Sequence, residues 1–226
     1  MSLIAATALL ALMQSAGEKL AAAEADRLGA CLERIERDPD GAYEDGLAWS
    51  FEGNRPGARQ CTALALIALG HVQDGAERLV NLANSSDGGT MEQRAAYLSQ
   101  AGNAFIEAGA AEQALTAFDG ALKIAPDAPE LLVDRAGAHL LLAQYDEAID
   151  DLDGALARTP GMGPAYHLRG EAWLAKGYLE KAMDDVLAAM AADPENIDTL
   201  VLRGRVREAQ RLEIESGGPL ERISDN

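Results

Sequence analysis

Pro126, Pro160 and Pro194 stand 34 residues apart, and that interval constrains the fold more than any other feature of the chain. A fixed period of roughly 20 to 50 residues marks stacked supersecondary units, each too small to bury its apolar face alone. Windows of 34 residues beginning at Ala95, Pro129 and Gly163 bring the same residue types into register. Position 8 holds Gly102, Ala136 and Gly170; position 20 holds Ala114, Ala148 and Ala182. Position 24 holds Phe118, Leu152 and Val186, and position 27 holds Ala121, Ala155 and Ala189. Small residues at fixed places let two helices approach closely, while the large ones fill the space between pairs. Gly109 and Gly177 at position 15 provide a reversal between helices, and Ala143 stands there in the middle window.

These residues resemble the tetratricopeptide repeat, whose pattern has small residues at 8, 20 and 27, large ones at 4, 11 and 24, and proline at 32. The resemblance implies an all-α, right-handed α-solenoid of helix–turn–helix repeats. Its clear repeats are 95–128, 129–162 and 163–196. A degenerate repeat over 56–89 shares Ala63, Leu66, Gly70 and Leu79 with the register but has Gly75 and Asp87 at positions 20 and 32. The five extra residues before Ala95 form the loop Ser85-Ser86-Asp87-Gly88-Gly89-Thr90, read as a flexible insertion. After 196 the motif resumes with Leu200, Arg203 and Gly204 and then fails, so 197–212 is expected to be a polar capping helix and 213–226 a flexible tail. Asp127 with Glu130, and Asn196, are the expected caps of the helices that follow them.

Residues 18–52 carry two N-terminal capping helices, one ending near Arg37 and one over Ala42–Phe51, separated by Asp38-Pro39-Asp40-Gly41. Residues 1–17 read in two ways. The apolar run Leu3–Met13 followed by Ser15-Ala16-Gly17 has the core and small-residue site of a secretory signal, without its basic start; the alternative is the opening of a helix that continues through Leu28. The run is too short for a membrane span, which needs about 20 residues. Export to the periplasm or beyond is the expectation, and a cytoplasmic chain is the alternative. Cys31 and Cys61 fall on apolar faces; in an exported chain they would form a disulfide pinning the cap to the array, and in a cytosolic one two buried thiols.

Position 7 is Arg135, Arg169 and Arg203, and position 23 is Asp151 and Asp185, whereas the first clear window has Ala101 and Ala117. Arginine and aspartate come and go together, which predicts ion pairs inside the stack, since a half-buried arginine without a carboxylate is costly. Two registers stand: Arg135 with Asp151 and Arg169 with Asp185 within a window, or Arg169 with Asp151 and Arg203 with Asp185 across windows.

His71, His139 and His167 lie far apart, with no nucleophile–base arrangement, phosphate-cradling glycine loop or metal-ligand spacing. No enzyme activity, cofactor or metal is expected. Asp and Glu outnumber Lys and Arg by 37 to 19, a formal net charge of −18, which repels nucleic acid and anionic lipid and favours a protein or peptide of basic or apolar character. The repeat family holds peptides in the groove lined by the first helices, commonly at positions 2, 5, 9 and 12. Positions 5 and 9 supply the groove candidates Ser99, Asn103, Val133, Gly137, His167, Glu171 and Arg205. Only Asn103 and Arg205 suit the family's clamp for a C-terminal carboxylate, and they sit at opposite ends. The expected function is a non-catalytic interaction scaffold, with homodimerisation through the apolar N-terminal helix, or service as a regulatory subunit, as alternatives.

Overall fold

The computed structural model describes residues 3–216 in backbone and 18–216 in side chains. Among the described residues there are eleven α-helices and no strand: α1 Leu3–Ile35, α2 Pro39–Phe51, α3 Pro56–Ala68, α4 Val72–Asn84, α5 Met91–Glu107, α6 Ala111–Ile124, α7 Pro129–Leu141, α8 Tyr145–Arg158, α9 Gly163–Ala175, α10 Leu179–Ala192 and α11 Ile197–Ser216. The side chains of the apolar segment 1–17, on which the signal and dimer readings rest, lie outside the described residues, as does 217–226 of the expected tail. Helix α1 runs through the expected boundary at residue 17, and α11 continues to Ser216, beyond the expected boundary at 212. No described helix is long and apolar enough to cross a membrane. The chain divides into two compact units, residues 1–97 and 98–226.

In the first unit α1, α2 and α3 pack on one another around Cys31, Ala42, Trp49, Ala58, Cys61 and Ala65. Helix α2 begins at Pro39 rather than Ala42, because Asp38 caps it: Gly41 N donates to Asp38 Oδ1 at 3.0 Å, and proline is suited to the first helical position, where no N–H is needed. Gly46 lets α2 press on α3; a Cβ there would lie 2.8 Å from Thr62 Cγ2 and 2.9 Å from Cys61 Sγ. Cys31 and Cys61 are joined by a disulfide across a Cα–Cα distance of 6.0 Å, tying α1 to α3. The loop expected to be a flexible insertion is held by two arginines. Arg59 pairs with Asp87 at 2.8 Å, and Arg94 donates to the carbonyls of Ala83, Ser86 and Gly89. Thr90 and Gln93 form a reciprocal capping box, which starts α5 at Met91, four residues before the window.

The second unit is the repeat stack. Helices α7 and α8 pair, α9 and α10 pair, and α7 and α9, like α9 and α11, are neighbours. Phe118, Leu152 and Val186 at position 24 are fully buried, as are the alanines at positions 20 and 27 apart from 2% exposure at Ala189. Gly102 is required by contact: a Cβ would meet the Phe118 ring at 2.5 Å. Gly109 and Gly177 reverse the chain at φ 73° and 79°, and Ala143 adopts φ 56° at the same place, a conformation that costs an alanine and not a glycine. Asn196 caps α11 by accepting from Thr199 N at 2.8 Å. Asp127 does not cap α7; the N-cap is Ala128, without a side-chain bond, and Asp127 instead accepts from Arg158 at 3.1 Å. The proline at the start of α7 already removes one of the N–H groups a cap would satisfy.

Candidate functional site: the inner helix face

The arginines of position 7 use the within-window register, bidentate and charge-assisted. Arg135 Nε and Nη2 donate to Asp151 Oδ2 and Oδ1 at 2.8 and 2.6 Å, and Arg169 Nε and Nη2 donate to Asp185 at 2.9 and 2.7 Å. Each also takes a second carboxylate from the preceding window: Arg135 pairs with Asp119 at 2.7 Å and Arg169 with Asp153. Hydrogen bonds to these aspartates hold both guanidinium pKa values above their ordinary range, against the opposing effect of burial. Asp151 and Asp185 side chains are 9% and 7% exposed, so both carboxylates lie inside the stack. Arg203 has Leu187 in the preceding window where the other two have aspartate, and donates to Met190 Sδ at 3.6 Å. His139 at core position 11 is tied to Gln144 Oε1 at 2.8 Å and is a satisfied structural histidine.

The groove candidates fall on α5, α7, α9 and α11, and contacts one repeat apart link most of them. Ser99 Oγ and Asn103 Nδ2 on α5 each donate to Asp134 Oδ2 on α7 at 3.5 Å. His167 Nδ1 on α9 meets Thr199 Oγ1 on α11 at 3.1 Å, and Arg205 Nη1 on α11 donates to Glu171 Oε1 on α9 at 3.0 Å. Two candidates have no such link. Val133 is 7% exposed, buried rather than presented to a ligand, and Gly137 has nothing within 4 Å of where its Cβ would stand. His167 also borders a pocket of about 250 Å³ with Leu168, Asp193 and Thr199.

Asp134, at position 6, is the residue that sequence reasoning missed. It is half-buried, and burial pushes its carboxyl above the ordinary carboxylate range, opposed by the Asn103 and Ser99 bonds and reinforced by nearby Glu130. Its role depends on neighbours 31 and 35 residues away, which a scan of positions 5 and 9 alone does not reach. Asp119 and Asp153 were missed as well, although their shared window position, 34 residues apart, is a signal that could have found them. Apolar surface completes the face at its far end, where Ile197 and Val201 of α11 are 74% and 56% exposed. Among the described residues no three His, Cys, Asp or Glu side chains are grouped to hold a metal ion.

The comparisons with known proteins agree with the helical-repeat fold. A family model described as tetratricopeptide repeat matches residues 105–169. No curated protein matches the chain. Among solved structures, the chain is similar to the first TPR of Spaghetti (RPAP3) bound to the HSP90 peptide SRMEEVD, at 26% identity over 53% of this chain and 95% of that one, TM-score 0.51. It is similar to residues 41-end of MamA from Desulfovibrio magneticus RS-1, at 22% identity over 73% and 90%, TM-score 0.61. It is also similar to TTC0263, a thermophilic TPR protein of Thermus thermophilus, at 24% identity over 80% and 96%, TM-score 0.57. With the 34-residue register, the stacked helix pairs and these likenesses together, residues 105–169 carry tetratricopeptide repeat sequence and the helix pairs have the tetratricopeptide repeat fold.

Proposed function

We propose that this chain is a non-catalytic interaction scaffold that holds a peptide or protein segment on the face made by α5, α7, α9 and α11. The observation that carries the reading is the set of cross-repeat contacts, Ser99 and Asn103 to Asp134, His167 to Thr199 and Glu171 to Arg205. They string polar side chains along one side of four successive inner helices. A row of polar groups beside exposed Ile197 and Val201 suits an extended or helical segment better than a small molecule, which would need a single deep, enclosed cavity. The neighbour Spaghetti is described with a peptide ending in Glu-Glu-Val-Asp. A ligand of that charge would face Asp134, Glu130 and a Glu171 that already occupies Arg205, so the partner here is basic or apolar instead. The buried disulfide in the first unit supports an exported, oxidising setting for this activity.

The test is a selection of random peptides on the immobilised full-length protein, followed by affinity measurement of the winning peptide. Asn103→Ala combined with His167→Ala and Glu171→Ala should weaken binding at least tenfold while leaving the circular dichroism melt unchanged. Equal affinity for wild type and triple variant would place the binding surface elsewhere.

A further inference from the structure

Helices α2 and α4 each pack on α3 and scarcely touch each other, which leaves a cleft of about 370 Å³ over α3 between them. Its lining is rich in donors: Arg59 of α3, Arg78 and Asn81 of α4, and Asn54 just after α2, with Leu47 and Leu82 as the apolar wall. Arg78, Asn81 and Leu82 reach it together because residues three and four apart share one face of a helix. No carboxylate lines this cleft, whereas the pockets beside Trp49, Leu28 and His167 contain Asp45, Glu24 and Asp193. In a chain with 37 acidic and 19 basic residues, that is a local reversal of sign. The two lining hydroxyls, Ser50 and Thr62, donate to carbonyls of their own helices, at 2.9 Å each, and are spent. Arg59 is tied to Ser85 at 3.3 Å and to Asp87 at 2.8 Å, and its Nε is the one buried side-chain nitrogen or oxygen among the described residues without a hydrogen bond. Arg78 and the side-chain amides of Asn54 and Asn81 have no ion pair or hydrogen bond among the described residues.

We propose that this cleft binds a small organic anion, its phosphate or carboxylate group held by Arg78 with the amides of Asn54 and Asn81, its short apolar body lying against Leu47 and Leu82. The site belongs to α2, α3 and α4, shares no residue with the face of α5, α7, α9 and α11, and goes beyond the scaffold reading. Arg59 is already balanced by Asp87, so Arg78 supplies the charge that the ligand neutralises. Its planar fork suits a carboxylate or phosphate bidentately, and the asparagine amides add neutral N–H donors beside it. The unmatched Nε–H of Arg59 leaves further positive charge uncompensated at the same wall. A net charge of −18 does not forbid an anion here, because exposed charges more than about 10 Å away are screened at ordinary salt and the groups in the cleft decide. Leu47, 38% exposed, is apolar surface that a ligand would cover. The volume falls in the range of small-molecule sites, near its lower end.

The experiment titrates the full-length protein by calorimetry with hexyl phosphate, hexanoate, inorganic phosphate and hexanol. Wild type is compared with Arg78→Gln, Asn81→Ala, Leu47→Ser and Arg207→Gln, the last an exposed arginine of α11. Wild type should bind hexyl phosphate or hexanoate; the tighter of the two names the head group, and equal affinities assign the cleft to both. Arg78→Gln should weaken that ligand about tenfold and Asn81→Ala about threefold, while Arg207→Gln, which removes the same charge elsewhere, should change it less than about twofold. Inorganic phosphate, which leaves the leucines uncovered, should bind about tenfold more weakly than hexyl phosphate, and Leu47→Ser should narrow that gap. Arg78 is exposed and unpaired, so its substitution should leave the circular dichroism melt unchanged. Hexanol binding as tightly as the anions, an Arg78→Gln affinity equal to wild type, or no binding of either hexyl anion at millimolar concentration overturns the site, and none of these touches the peptide-binding face.

Discussion

The two units solve one problem, how to hold short helices side by side, with different chemistry. In the second unit the repeat register is intact: alanine or glycine at the close approaches, Phe118, Leu152 and Val186 between pairs, and an arginine rung across each of two windows. In the first unit the register has decayed, with Gly75 and Asp87 at positions that elsewhere hold alanine and proline, and a covalent bond between Cys31 and Cys61 joins α1 to α3. Short helices are marginal alone, so each unit needs something beyond propensity. The difference teaches that repeated packing and electrostatic rungs can be replaced by a cross-link where the pattern is lost.

The two tryptophans allow the units to be followed separately, since Trp49 is packed in the first and Trp173 lies against the core of the second. The largest expected effect is that of Cys31→Ser with Cys61→Ser. Opening a loop with a sequence separation of 30 should remove ~3.5 kcal/mol from the unfolding transition reported by Trp49 and leave that of Trp173 in place. If both transitions move together, the units do not unfold independently and the contrast fails. Next is Arg169→Met, which strands the 7% exposed Asp185 and should cost about 3 kcal/mol in the Trp173 transition alone, the low end for a buried pair because Arg169 itself is 20% exposed. Adding Asp185→Leu should restore most of it; a double variant no better than the single would show that the rung contributes by packing and not by charge. The smallest effect is that of Asp134→Asn, no more than about 0.5 kcal/mol at neutral pH. Because burial raises the Asp134 pKa on folding, the native state binds the proton more tightly than the unfolded chain. Wild type should lose stability as pH rises through the interval above the ordinary carboxylate range, and Asp134→Asn should lack that slope. Denaturant midpoints of the two proteins across mildly acidic pH would show it, and a slope of opposite sign would mean that Asp134 has a cationic partner in the free protein.

Much of the architecture is legible because a repeated unit states its own register. The prolines and small residues mark the helix pairs, and Gly109 and Gly177 mark reversals that the structure puts at positive φ. The start of α2 is not legible, because Asp38-Pro39 reads equally as the end of one helix and the cap of the next, and only the Gly41 N–H to Asp38 bond decides between them. The loop 85–90 reads as loose because its restraint comes from Arg59, 28 residues away from Asp87. The within-window arginine pairing is one of two open registers, since spacing fixes which helices carry the charges and not how far a guanidinium leans. Of the inner face, the repeat register locates the side chains at positions 5 and 9; it does not reach Asp134, whose environment is made by the preceding repeat, nor the burial of Val133.

Each arginine rung grips three helices at once: Arg135 of α7 holds Asp151 of α8 and Asp119 of α6, and Arg169 of α9 holds Asp185 of α10 and Asp153 of α8. A fastener with three attachment points resists peeling, because no single helix can leave without breaking a clasp shared by two joints. Among the described residues the end of the stack has no such clasp, as Arg203 meets only the Met190 thioether there. Fraying therefore begins at α11, and the interior opens in blocks larger than one hairpin.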